Sequence, residues 1–143
     1  MQLSQRTDYA LRLVMHLALS NQALVTTAQI AGAFDISKNH LDKVAQDLAR
    51  AGFIETVRGR GGGLRLARDP AEITVGSIVR ALEPMALVEC MNPEANTCVL
   101  TPRCRLAGAL DRALAAFLQT LDACTLAELV ERPAPLRRLL GLH

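Results

Sequence analysis

No uninterrupted apolar run in these 143 residues approaches the roughly 20 that a membrane-spanning helix needs, so no membrane partner is expected. The opening M-Q-L-S-Q-R-T-D-Y-A lacks the basic-then-apolar order of a secretory signal, and a cytoplasmic location is expected. There is no internal repeat and no low-complexity segment, while 50% of the residues are hydrophobic, enough for one packed domain with an added helix. Catalytic signals are missing as well. None of His16, His40 and His143 lies close in sequence to a cysteine, and no phosphate-cradling loop follows a parallel strand, so an enzyme is not expected. His16, within an apolar helical stretch, reads as structural.

Against these absences stand 4 cysteines. In a reducing compartment they are free thiols, metal ligands or redox groups rather than structural bridges. Cys90, Cys98 and Cys104 form a C-x7-C-x5-C run in a polar loop, E-C-M-N-P-E-A-N-T-C-V-L-T-P-R-C. Structural zinc favours close C-x2-4-C pairs and four protein ligands, which this spacing does not supply. Three thiolates at irregular loop spacing suit an iron-sulfur cluster with one position left for a weaker ligand from elsewhere. Zinc, or three thiols that merely pack, remain the rival readings. Cys124 falls among Leu121, Leu126 and Leu129 and reads as a packing residue.

Charge is unevenly spread. Residues 1 to 70 carry nine Lys and Arg against six Asp and Glu, whereas residues 71 to 143 carry seven against eight. The stretch from Thr56 to Arg68 holds Arg58, Arg60, Arg65 and Arg68 with no acid, so a polyanion would meet the first half.

Apolar residues at Ala10, Leu13, Val14 and Leu17 predict a helix over Thr7–Leu19. Thr26-Thr27-Ala28-Gln29 predicts a capping box opening a short helix that ends near Phe34. Ser37 predicts the cap of a third helix with Leu41, Val44, Ala45 and Leu48 inward and Gly52 as its stop. Phe53–Val57 and Leu64–Ala67 around Arg58-Gly59-Arg60-Gly61-Gly62-Gly63 predict a β-hairpin. A fourth helix follows over Ile73–Leu82, stopped by Pro84. Beyond the cysteine loop, Leu106, Leu110, Leu114, Phe117, Leu118 and Leu121 mark a long apolar stripe over Arg105–Leu121.

Two short helices, a third with a polar first turn, then an Arg/Gly hairpin is the order of a winged helix-turn-helix. The expected fold is mainly α with a small β-hairpin wing. Residues 1–84 would form the DNA-binding domain, 85–104 the cysteine-bearing cluster loop, and 105–143 the dimerisation helix and C-terminal tail. The third helix would enter the major groove N-terminus first, presenting Ser37, Lys38, Asn39 and His40, with Lys43 one turn on. Thr26 and Thr27 would meet phosphates at the start of the second helix, and Arg58 and Arg60 would reach phosphates or the minor groove. The stripe beyond the loop suits a homodimer, and a dimer suits a palindromic double-stranded operator.

T-D-Y-A-L-R, S-K-N-H-L, V-R-G-R-G-G-G-L-R-L-A and the cysteine triple resemble the iron-sulfur winged-helix repressors, the superfamily of NsrR, IscR and RirA. The resemblance spans nearly the whole chain. R-A-L-E-P-M-A-L-V-E-C, L-T-P-R-C-R-L and L-D-A-C-T-L-A-E-L-V-E make it closest to the nitric-oxide-sensing NsrR group. It implies a homodimer with one 4Fe-4S cluster per subunit, held by Cys90, Cys98 and Cys104 and by Asp8 of the partner subunit, with nitric oxide as the signal. Arg12 would orient Asp8, although from the residues alone Asp8 is equally an acid near a helix start that pairs with Arg12 one turn later.

Two departures matter. The seven-residue gap after Cys90 is longer than in some NsrR proteins and is similar to that of the iron-responsive RirA. Where IscR-like sensors carry a histidine ligand, three residues after the last cysteine, this chain has Ala107, which disfavours a 2Fe-2S site. An iron- or redox-responsive regulator is therefore the first alternative, and a thiol or iron-sulfur redox protein without DNA binding the second.

Overall fold

The structure is a computed structural model that describes all residues, Met1–His143. Helix α1 runs Gln5–Leu19, α2 Thr27–Phe34 and α3 Lys38–Arg50. Strands β1, Ile54–Val57, and β2, Gly63–Leu66, follow, then α4, Val75–Leu82, α5, Arg105–Asp122, α6, Leu126–Leu129, and α7, Pro133–Leu139. The expected mainly helical fold with one hairpin is the fold found.

Local chemistry sets most boundaries. Helix α1 begins earlier than its apolar spacing predicts because the hydroxyl of Ser4 accepts from the Thr7 amide at 3.3 Å and caps it. The capping box at α2 is present: Thr26 Oγ1 accepts from Gln29 N at 3.2 Å, and Gln29 Oε1 accepts from Thr26 N at 2.8 Å. Ser37 caps α3 through the His40 amide. The hairpin pairs antiparallel in register Ile54↔Leu66 to Val57↔Gly63. Its tip turns through Gly59 and Gly61 at φ 95° and 73°, a region side chains rarely enter. After the turn at Pro70–Glu72, Ile73 and Thr74 are extended and Thr74 Oγ1 accepts from Ser77 N at 3.0 Å, so α4 starts at Val75 rather than Ile73.

The core lies where α1, α3, α4 and the hairpin meet. Ala10, Leu13 and Val14 of α1, Leu41 and Leu48 of α3, Phe53, Ile54 and Leu64, and Ile78 of α4 are all buried there. Leu126 joins the same core at 2% exposure. The chain after α5 therefore returns to the first unit. Leu126 N donates to the Ile73 carbonyl at 2.7 Å and Val75 N to that of Cys124 at 2.9 Å. Gly76 permits this: a Cβ there would strike the carboxylate of Asp122, which also pairs with Arg80. By contrast α5 buries only Leu118 within the chain, leaving the rest of its apolar stripe half-buried or exposed.

His16 is buried at 2% exposure and meets Phe34 edge to face. The Ser20 hydroxyl gives its proton to the His16 carbonyl at 2.7 Å, so toward Nδ1, at 3.3 Å, it acts as acceptor and fixes the ring tautomer. Burial pushes the imidazole pKa below its ordinary 6.5, against a weaker opposing backbone hydrogen bond. The unfolded chain then binds the proton first as pH falls. Stability is full above 6.5 and declines as pH drops from there toward the folded value. Thermal unfolding at pH 7.5 and 5.5 should show this decline in the natural chain and a smaller one in His16→Gln.

Candidate cluster loop and nucleic-acid interface

The residues expected to meet DNA lie on α2, α3 and the hairpin, and all but Thr27 are exposed. Ser37, Lys38, Asn39, His40 and Lys43 line the exposed start of α3, with Thr26 exposed and Thr27 half-buried at the start of α2. Arg58 and Arg60 are exposed at the hairpin tip, and neither forms an ion pair. A cleft of about 450 Å³ separates α3 from the hairpin, lined by Thr26, Thr27, Asp42, Gln46, Gly59 and Gly62. Unpaired arginines therefore stand on the hairpin side of this cleft and the start of α3 on the other.

Asp42 is a residue the sequence reading missed. Its carboxylate accepts from Thr27 Oγ1 at 2.6 Å and pairs with Lys38 Nζ at 2.8 Å, bridging α2 to α3. The Lys38 hydrogen bond first, then that of Thr27, holds its pKa below the usual carboxylate value. The Lys38–Asp42 spacing of four was visible in sequence, but Thr27, fifteen residues away, was not. The Asp42 carboxylate offsets the charge that Lys38 would bring to a phosphate. Asp42→Asn should therefore strengthen binding to arbitrary duplex DNA severalfold, while costing less than about 1 kcal/mol of stability because the pair is exposed. Fluorescence anisotropy and a thermal melt check both halves.

The cysteine loop is organised by its polar residues. No residue from Glu83 to Phe117 is buried, so the loop has no core of its own. Glu89, in the short turn Glu89–Met91, accepts from both the amide and the hydroxyl of Thr97, which lower its pKa, hydroxyl first. Each of these residues directly precedes a cysteine, so their bond ties the Cys90 and Cys98 segments together across the seven-residue gap. Asn96 Oδ1 accepts from Cys98 N at 3.0 Å, and Thr101 Oγ1 donates to the Cys98 carbonyl at 2.8 Å. Cys104 then stands at the N-cap of α5.

All four cysteines are free thiols, Cys98 exposed and Cys90, Cys104 and Cys124 half-buried. No three His, Cys, Asp or Glu side chains converge within the chain. A group held by all three loop thiols thus requires the loop to close. The donor set fits an iron-sulfur cluster on those terms: soft sulfur ligands on one hydrogen-bonded loop, flanked by exposed Leu87, Val88, Val99 and Leu100 that would exclude water.

Asp8 lies on α1, its side chain 47% exposed, accepting from Arg12 Nη2 at 2.6 Å and Nε at 3.2 Å. An exposed pair one helical turn apart contributes only about 0.3–0.5 kcal/mol, so Arg12 holds Asp8 in place without committing it. Its neighbour Tyr9 faces His40 of α3, ring centroids 6.1 Å apart, and Arg12 lies over the Tyr9 ring. Tyr9 was not singled out in the sequence, because nothing local announces a contact across thirty-one positions. A second cleft, about 260 Å³, runs between these helices, lined by Gln5, Arg6, Tyr9, His40, Lys43 and Asp47.

A three-helix core, a polar-started third helix and a basic hairpin define a winged helix-turn-helix transcription regulator. Residues 3–132 match the model of the Rrf2 family, described as iron-dependent transcriptional regulators, and the chain belongs to that family. It is 52% identical over 142 residues to the HTH-type transcriptional regulator NsrR of Geobacillus kaustophilus, covering 98% of this chain and 97% of that one. Among solved structures it resembles T. potens IscR, with TM-score 0.72 and 26% identity over 92% of this chain and 87% of the other. It also resembles CymR of B. subtilis, titled the global cysteine regulator, with TM-score 0.72 and 28% identity over 92% and 97%. No helix is long and apolar enough to cross a membrane.

Proposed function

We propose that the chain is a homodimeric repressor of the reducing cytoplasm that holds a palindromic operator and releases it in response to nitric oxide. Residues 1–84 contact DNA, 85–104 carry the cluster ligands and 105–143 form the dimer contact, with the exposed stripe of α5 as its core. Cys90, Cys98 and Cys104 of one chain and Asp8 of the partner subunit would hold a 4Fe-4S cluster, one per subunit. When bound, that cluster supplies iron open to nitric oxide, most readily where a hard, exchangeable carboxylate oxygen stands among soft sulfur ligands. The observation that carries the reading is the placement of Asp8. It is half-buried, paired only with Arg12, and followed by Tyr9, which touches the third helix at His40.

The residues of the chain then do the following. Asp8, engaged across the dimer, fixes α1 of one chain to the cysteine loop of the other, and Tyr9 passes that position to α3. Ser37, Lys38, Asn39, His40 and Lys43 enter the major groove, Thr26 and Thr27 hold phosphates, and Arg58 and Arg60 follow the backbone beside it. Once Asp8 is released, Arg12 recaptures it, and the two α3 helices lose the one-turn separation of about 34 Å that successive half-sites demand.

Membership of a family of iron-dependent regulators and the seven-residue gap favour a second reading, in which iron supply is the signal. Operator duplexes selected from random sequence by anaerobically purified protein separate the two. Release by nitric oxide without release by an iron chelator supports the proposal; release by the chelator alone supports iron sensing.

A further inference from the structure

A second acid-free basic stretch lies at the far end of the chain. Residues 132–143, R-P-A-P-L-R-R-L-L-G-L-H, hold three arginines and His143 with no Asp or Glu. Arg132 directly follows Glu131, so its charge is locally offset, but Arg137 and Arg138 have no acidic neighbour in sequence and form no ion pair. The fold does not leave this stretch loose. Helix α7 packs against α1, and a cleft of about 430 Å³ forms between its end and the start of the helix-turn-helix. Arg137, Gly141 and His143 line one wall; Ser20, Val25 and Gln29 line the other. Gln29 belongs to the capping box that opens α2, so the cleft reaches the first turn of that helix. Arg137 buries its Nε with no partner, while Arg138 is exposed. The charge of Arg137, which lines the cleft, is offset by no acid, and an anion brought beside it would supply that partner.

We infer that Arg137 and Arg138 of α7 bind the DNA backbone beside the phosphates met by the start of α2, extending each protomer's footprint outward from the recognition helix. The inference rests on the DNA-binding reading and adds a contact surface to it. Charge complementarity selects the occupant: two arginines without acidic partners, Arg137 lining the cleft opposite Gln29 and Arg138 exposed beside it, fit the same polyanionic duplex rather than a separate partner.

Salt dependence tests it. The full-length, anaerobically purified protein, Arg137→Gln/Arg138→Gln and Arg138→Gln alone are titrated with a 40-base-pair duplex of arbitrary sequence across a salt series. A wing variant, Arg58→Gln/Arg60→Gln, runs beside them. Each arginine lost from each chain should lower the slope of log K against log salt by about 0.9, with binding at 0.1 M salt weakened severalfold. Arg138→Gln carries the test even where Arg137→Gln disturbs packing, because Arg138 is exposed. Unchanged slopes in both α7 variants, beside a lowered slope in the wing variant, overturn this inference and leave DNA binding intact. A natural chain with no salt-dependent binding overturns both.

Discussion

Cys104→Ser should leave the protein without iron and reduce its affinity for the selected operator at least a hundredfold, to the level of arbitrary DNA. The reason is positional as well as chemical. A serine hydroxyl is a far weaker iron ligand than a thiolate, so the loop would keep two sulfur donors where three are required. Cys104 is also the N-cap of α5, so its bond would be the one that ties the loop to the helix carrying the unpartnered apolar stripe. Cys124→Ser is the matched control. Cys124 meets the core through its backbone carbonyl, which accepts from Val75 N, and its replacement should change neither iron content nor operator affinity. Iron assay and anisotropy on both variants, purified without air, give the result; retained iron in Cys104→Ser would remove this cysteine from the ligand set.

The second large effect is expected at the wing. Arg58→Gln/Arg60→Gln removes two exposed, unpaired charges per chain at a hairpin tip, so the fold and its melting temperature should not change. The proposed dimer would lose four phosphate contacts. Affinity for both operator and arbitrary duplex should then fall by one to two orders of magnitude at about 0.1 M salt, and the salt slope by about 4. Because the loss is nearly equal for the two duplexes, the ratio between them should barely move. A variant that lost operator preference instead would show the wing reading bases rather than backbone.

Much of the fold was legible because its signals are local. Thr26 and Gln29 sit three apart and satisfy each other's helix start; Ser37 caps α3; the arginine and glycine run announces a hairpin. What the sequence concealed is carried by contacts between distant residues. Leu126 reads as part of a trailing segment, yet it completes a core built from α1, α3 and the hairpin, because Gly76 lets the chain pass close by. The first half of the interface was readable as exposed polar residues, but the Asp42 bridge that restrains Thr27 and Lys38 was not. For the cluster loop, cysteine spacing gave the donor type. The Glu89–Thr97 tie that spans the gap, and the Tyr9–His40 contact that links Asp8 to α3, appear only when the chain is folded.

That link is central because, in the proposed function, Asp8 of the partner subunit would complete the ligand set of the cysteine loop and Tyr9 would carry its position to α3. Native mass spectrometry of the anaerobically purified protein, before and after nitric oxide, addresses it directly. The account predicts a dimer carrying four irons and four sulfides per chain, with Asp8→Ala dimers losing them more readily and nitric oxide lowering operator affinity in step with the loss of the intact cluster mass. A monomer, a zinc-loaded dimer, or a cluster-bearing dimer whose mass and operator affinity ignore nitric oxide would contradict it.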